Sequence, residues 1–127
     1  MDIERTGKAI VNSAIKVHRA LGPGLLESAY QKCLKYELEK CGHTVKCELS
    51  LPVLYEEVQL DVGFRVDMLI DNSVIIENKT VEKLAPIHEA QLLTYLKVSE
   101  VHLGFLLNWN VRLMKDGIKR MVNNLQG

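Results

Sequence analysis

The chain has 127 residues, of which 47% are hydrophobic and 25% charged, with sixteen basic residues balancing sixteen acidic ones. That size supports one domain with a substantial core, and the composition excludes disordered, collagen-like and coiled-coil classes. The zero net charge means that any anionic partner, nucleic acid included, must be gripped by a local site rather than by a global field.

No apolar run approaches the ~18 residues of a membrane span, and the start, Met-Asp-Ile-Glu-Arg, lacks a basic-then-apolar leader. A cytoplasmic protein with no membrane contact is expected. Cys33, Cys41 and Cys47 read as reduced thiols, an odd number in a chain without a secretion signal. Cys41, His43 and Cys47 lack a fourth zinc ligand at suitable spacing, so small buried apolar cysteines are the simpler reading.

No repeat or linker interrupts the chain, and residues 1–127 read as a single domain. Residues 3–20 place Ile3, Ile10, Ala14, Val17 and Leu21 near one helical stripe, with Ile15 beside it. The run Leu21-Gly22-Pro23-Gly24 then stops the helix. A second helix is expected over residues 25–41, with Tyr30, Leu34, Leu38 and Cys41 at spacings of three and four, ended by Gly42. Residues 45–49 and 53–60 look like strands, with Pro52 marking an edge or a bulge. Residues 64–70 and 74–79 form two further strands around the turn residues Asp71-Asn72-Ser73. Pro86 opens a third helix reaching residue 98, in which Leu92, Leu93 and Leu96 can serve as the buried stripe. Residues 101–109 read as a buried strand, and residues 112–122 as a closing hairpin or strand around Asp116-Gly117. The expected class is α/β or α+β, a mixed sheet with helices on it.

The chemistry concentrates on the hairpin at residues 64–79. Side chains alternate faces along a strand. Arg65, Asp67 and Leu69 then share one face, and Val66, Met68 and Ile70 the other. On the next strand Ile75, Glu77 and Lys79 oppose Val74, Ile76 and Asn78. A three-residue loop pairs Ile70 with Val74, Met68 with Ile76, Asp67 with Glu77 and Arg65 with Lys79, so the charged sets coincide on one face. A slip of one residue would move Glu77 among the apolar side chains. Two carboxylates facing each other, Cβ atoms roughly 5 Å apart, repel unless a cation lies between them. Oxygen ligands select a hard ion such as magnesium or manganese. Without a cation, salt bridges to Arg65 and Lys79 on an open sheet face would explain the same residues. Asn78, on the packed face, needs buried hydrogen-bond partners.

Two further clusters join the argument. Glu27 stands in the first turn of the second helix, where it also complements the helix dipole. Gln91 and Tyr95 lie four apart and share a face of the third helix.

In this order the residues resemble the PD-(D/E)XK nuclease superfamily. Asp67 followed by Glu77-Asn78-Lys79 matches its Asp and Glu-x-Lys pattern, and Gln91-x-x-x-Tyr95 is similar to the Gln-x-x-x-Tyr motif of its RecB-type branch. Gly24-x-x-Glu27-x-x-Tyr30 with Gly63-Phe64-Arg65-Val66-Asp67 further resembles the bacterial group known as GxxExxY proteins. The resemblance implies a restriction-endonuclease-like core, a central mixed β-sheet flanked by helices. It implies a magnesium- or manganese-dependent nuclease hydrolysing DNA phosphodiester bonds. Asp67, Glu77, the backbone carbonyl of Asn78 and Glu27 would hold the metal. Asp67, Glu77, Lys79 and Glu27 would form the catalytic set, with Lys79 serving the attacking water. Gln91, Tyr95, Tyr30 and Arg65 would support the site or touch the strand. Lys32, Lys35, Lys83, Lys97, Arg112, Lys115, Lys119 and Arg120 offer a local basic rim. The absence of an appended specificity module suggests either non-sequence-specific cleavage or a partner protein that chooses the substrate, and a homo-oligomer is the other expected assembly. The alternative is a catalytically weak nucleic-acid-binding or assembly module that keeps the nuclease fold.

Overall fold

The computed structural model describes residues 2–123. Two helices, α1 (Ile3–Leu21) and α2 (Glu27–Lys40), precede three strands, β1 (Val45–Tyr55), β2 (Val58–Ile70) and β3 (Val74–Lys79). Helix α3 (Pro86–Ser99), strand β4 (Leu103–Asn108), a 3₁₀ turn (Met114–Gly117) and β5 (Ile118–Val122) complete the order. The strands form one sheet in the order β1-β2-β3-β4-β5, antiparallel except for the parallel pair β3–β4. The class is α+β, with the restriction-endonuclease-like arrangement expected from the sequence. Among the described residues no helix is long and apolar enough to cross a membrane.

Local chemistry explains most boundaries. Asp2 caps α1 by accepting from the amides of Glu4 and Arg5. Gly22 and Gly24 take the positive φ angles of 72° and 107° needed to turn the chain into α2. Ala85 precedes Pro86 at the start of α3, where the missing N–H costs nothing. The loop Asp71-Asn72-Ser73 turns through two left-handed residues, φ 53° and 55°, and sets the register Ile70↔Val74, Leu69↔Ile75 and Met68↔Ile76. Asp71 fastens this turn to its surroundings. Its carboxylate accepts from the Thr44 amide (2.9 Å) and the Thr6 hydroxyl (2.9 Å), and lies 2.7 Å from His43 Nδ1.

Residues 53–60 are not one strand. β1 runs on through Tyr55, the chain reverses at Glu56-Glu57 with Glu56 left-handed, and β2 begins at Val58. No glycine or asparagine marks that turn. Pro52 does sit on an edge strand, beside a register shift between Leu51 and Val53. In α1, Leu21 is exposed rather than part of the buried stripe, as are Cys41 after α2 and Leu93 in α3. All three cysteines are free, and His43 is engaged by Asp71 rather than by a zinc site.

The sheet is buried on both faces. One side packs Met68, Ile70, Val74, Ile76, Phe105, Leu107 and Trp109 beneath α1 and α2. The other packs Leu69, Ile75 and Leu106 beneath Leu92 and Leu96 of α3. Gly104 admits α3 closely, since a Cβ there would lie 3.1 Å from Leu96 and 3.2 Å from Leu92. The hairpin's charged face is therefore no open surface. β3 is apolar on both sides up to Glu77, as a central strand with a parallel neighbour should be.

Candidate active site

Regular pairing of β2 fails on both sides of one residue, Asp67. Towards β3 the ladder ends at Met68↔Ile76. Towards β1, Cys47↔Met68 and Leu49↔Val66 pair, but Glu48 between them is left-handed, φ 51°, and has no ladder partner. The hairpin bends there. Below the bend Cys47 and Met68 belong to the core under α1 and α2, whereas Leu49 and Val66 beyond it pack on the α3 side. Val66 thus does not share a face with Met68 and Ile70, because a left-handed residue across the ladder breaks the simple alternation.

The bend leaves backbone donors without strand partners, and side chains take them. The Asp67 amide donates to Glu77 Oε2 (2.7 Å), and the Asn78 amide donates to Asp67 Oδ2 (2.8 Å). Each carboxylate is anchored by the other strand's backbone. Asp67 and Glu77 are therefore brought together as the hairpin register requires, but through this reciprocal brace rather than through a ladder pair. In an extended strand a residue's C=O points to the same side as its N–H, so the Asn78 carbonyl faces the same gap.

The remaining oxygens are free. Asp67 Oδ1 and Glu77 Oε1 accept no hydrogen bond among the described residues, and neither is a sealed, unpartnered atom. Burial and the charge of Asp67 push the Glu77 carboxyl up to about 7. Burial also raises Asp67, against the opposing hydrogen bond from Asn78. Glu77 is 5% exposed. Two desolvated carboxylates that repel each other prefer to share a proton or a cation.

Lys79 is half-buried at the end of β3, and its charge lowers both carboxyls without closing a salt bridge among the described residues. Strand alternation puts it on the face of Glu77. Glu27 accepts from the Thr80 hydroxyl (3.3 Å), which brings the start of α2 to the end of β3, and its charge raises Asp67. Tyr95 also converges: burial first, then Glu77 and Asp67, raise its phenol, and its ring stacks on Phe64 at 4.7 Å. Gln91 is exposed one turn earlier on α3 and makes no side-chain hydrogen bond among the described residues.

Two expected positions are different. Arg65 does not meet Lys79, because the strands have already diverged. It pairs with Ser50 of β1, its side chain is 66% exposed, and its Nε lies 3.3 Å from Glu48. Tyr30 does not face the cleft. It is fully buried, donates to the Gly22 carbonyl (2.6 Å), accepts from the Leu25 amide (3.1 Å), and stacks on Trp109 at 4.8 Å.

The buried Asn78 side chain finds every partner it needs. Trp109 Nε1 donates to its Oδ1 (2.9 Å), while its Nδ2 donates to Gln31 Oε1 (3.1 Å) and Met68 Sδ (3.4 Å). Trp109 and Gln31 are positioning residues that no spacing rule singles out, nor does any single out Glu48, which accepts from Gln31 (3.1 Å) and raises both carboxyls. Only the buried Asn gives a signal, as a polar side chain on a packed face.

Against known families, the profile of the PD-(D/E)XK nuclease superfamily matches residues 4–121. The chain belongs to the PD-(D/E)XK nuclease superfamily. No curated protein and no solved structure matches it. The matched stretch contains the whole brace and every element that approaches it.

The donor set suits a hard cation. It is all oxygen: one free oxygen on each of two anchored carboxylates, and the Asn78 carbonyl beside them. Among the described residues no group of three or more His, Cys, Asp or Glu side chains is gathered as a cation cage.

Proposed function

We propose that this protein is a magnesium- or manganese-dependent phosphodiesterase that hydrolyses DNA. The observation behind this reading is the brace: two desolvated carboxylates, anchored by each other's strand, with free oxygens and a lysine on the same face. Asp67, Glu77 and the Asn78 carbonyl would hold the ion, with Glu27 reaching it from the edge. When bound, the cation activates water and neutralises charge on the phosphoryl oxygens.

The chain's own groups do the rest. Lys79, without a carboxylate partner among the described residues, orients the attacking water and holds a non-bridging phosphate oxygen. Tyr95 donates its phenolic hydrogen bond at the α3 side of the cleft, and Gln91 beside it meets the strand. Tyr30 and Trp109 fix Asn78 and so the carbonyl aimed at the gap. The Gly24-x-x-Glu27-x-x-Tyr30 pattern supports placement in the GxxExxY group, as a single-domain, cytoplasmic bacterial nuclease. A partner protein or a second copy would direct the cut, since a neutral chain supplies little grip of its own on long duplex DNA.

The test pairs a thermal melt with a cleavage assay on single- and double-stranded DNA. Manganese should raise the melting temperature of the wild type, and cleavage should require it. A metal-dependent shift without cleavage of any substrate would replace this reading with a binding or assembly module. No shift and no cleavage would end it.

A further inference from the structure

A cavity of about 490 Å³ opens between the second half of α1 and residues 112–115, in the segment that follows β4. Arg19, Arg112 and Lys115 line it, and no carboxylate does. All three cations are exposed, and none forms a salt bridge among the described residues. Arg19 stands in the last turn of α1, where a cation complements the helix dipole. Lys115 stands in the last turn of the short 3₁₀ segment, and Arg112 lies outside any helix. Of the other basic-rim residues, Lys119 pairs with Glu89 and Arg120 with Glu4. Lys32, Lys35, Lys83 and Lys97 form no salt bridge among the described residues but do not line this cavity.

The floor is apolar. Ile15 and buried Met114 form it, and Leu113, 44% exposed, stands at its mouth. The walls are fixed by the same residues that fix the active site. His18 Nε2 lies 2.8 Å from the Val111 carbonyl, and its ring stacks on Trp109 at 6.4 Å. Gly22 on the rim is held by Tyr30. Trp109 in turn donates its amide to the Lys79 carbonyl (2.9 Å) and its indole to Asn78. From Asn78 and Lys79, Trp109 and the chain that follows it therefore lead to Arg112 and Lys115, which share the cavity with Arg19 of α1.

We infer that this cavity is a nucleotide subsite for the same strand that the carboxylates cut, one or more residues beyond the scissile phosphate. Arg19, Arg112 and Lys115 take its phosphate, and the apolar floor takes its base. A neutral protein grips a polyanion only where its cations are gathered and unpaired, because phosphate contacts dominate affinity. A bare phosphate would leave the floor and much of the volume unused. The inference rests on the nuclease reading and adds a strand path to it.

The experiment is fluorescence anisotropy with a labelled fifteen-nucleotide single strand in EDTA, across a salt series. The triple variant Arg19→Gln, Arg112→Gln, Lys115→Gln should bind about tenfold more weakly at low salt. Its slope of log affinity against log salt should shrink by about 0.7 for each phosphate that is no longer neutralised. A control with the same charge change elsewhere, Lys8→Gln, Lys40→Gln, Lys46→Gln, should bind close to wild type. Unchanged melting temperatures would confirm that both triples fold. Equal losses in the two triples, or wild-type binding by the first, overturn the subsite. So does inorganic phosphate that protects the wild type from melting while the oligonucleotide does not. If the wild type still cleaves with manganese and Glu77→Gln does not, the nuclease reading survives that overturning. If the wild type neither binds nor cleaves, both fall.

Discussion

Glu77→Gln in metal-free protein isolates the electrostatic tension at the centre of the site. Glutamine keeps an oxygen to accept from the Asp67 amide and removes only the charge. Burial and Asp67 hold the Glu77 carboxyl at about 7, against an ordinary 4.5. Between those values the folded state keeps a proton that the unfolded chain has released. Stability contributed by the protonated group is therefore complete below 4.5 and is lost as the pH rises through 7. A rise from 4.5 to about 7 corresponds to about 3 kcal/mol lost over that window. Asp67, also raised, adds in the same direction, and the two titrate as a pair.

Urea unfolding reads this out through Trp109, the only tryptophan, which is buried against Tyr30. In EDTA the wild type should lose about 3 kcal/mol more than the Gln variant between pH 4.5 and 8, leaving the variant the more stable protein at pH 8. Manganese at a hundredfold excess over its Kd should then return about 2.7 kcal/mol to the wild type and nothing to the variant. Stability curves that run parallel from pH 4.5 to 8 would show that Glu77 ionises freely, and the reasoning from desolvation would be wrong.

The other predictions probe the brace, the support behind it and the turn. Asp67→Asn should abolish both the manganese-dependent rise in melting temperature and DNA cleavage, whereas Lys79→Ala should keep the rise and lose turnover; a Lys79→Ala protein that no longer responds to manganese would place the lysine on the ion instead. Trp109→Phe removes the indole donor to Asn78 and leaves a buried amide oxygen without that partner, so it should cost about 1–3 kcal/mol in urea unfolding and slow cleavage. Asp71→Ala strips the acceptor from Thr6, Thr44 and His43 and should destabilise by about 2 kcal/mol or more, with the manganese response of the folded protein intact because the turn is at the far end of the hairpin from Asp67.

Much of this architecture is legible in the residues. The two N-terminal helices, the three-residue turn and the register from Ile70↔Val74 to Met68↔Ile76 follow from period, glycine placement and turn chemistry. The turn at Glu56-Glu57 does not, since two glutamates give no local signal for a left-handed residue. Tyr30 carries two expectations. The helical stripe it shares with Leu34 and Leu38 puts its ring in the core, where it lies. The glycine-turn pattern suggests the cleft, and its phenol instead caps backbone groups of that turn from the inside. Arg65 and Val66 escape the expected faces for a single reason. Strict alternation assumes an unbroken ladder, and here the ladder breaks at Glu48 and Asp67.

That break is what makes a site. A central strand with an apolar neighbour on each side has no room for two carboxylates while its ladder is intact, since every amide already has a carbonyl and burial would forbid the charge. Once the left-handed Glu48 bends the hairpin, the amides of Asp67 and Asn78 need acceptors, and the two carboxylates supply them. Each spends one oxygen on the fold and keeps one for chemistry. The irregularity that defeats a reading by alternation is thus also the reason that Asp67 and Glu77 survive in a buried position. Restoring a regular ladder by relieving the bend should close the gap. Glu48→Val, a strand-favouring residue disfavoured at φ 51°, tests this directly. If the bend is obligatory, the variant should lose about 1–2 kcal/mol to backbone strain and keep its manganese response. If instead the strand straightens, the manganese response should vanish while stability holds or rises.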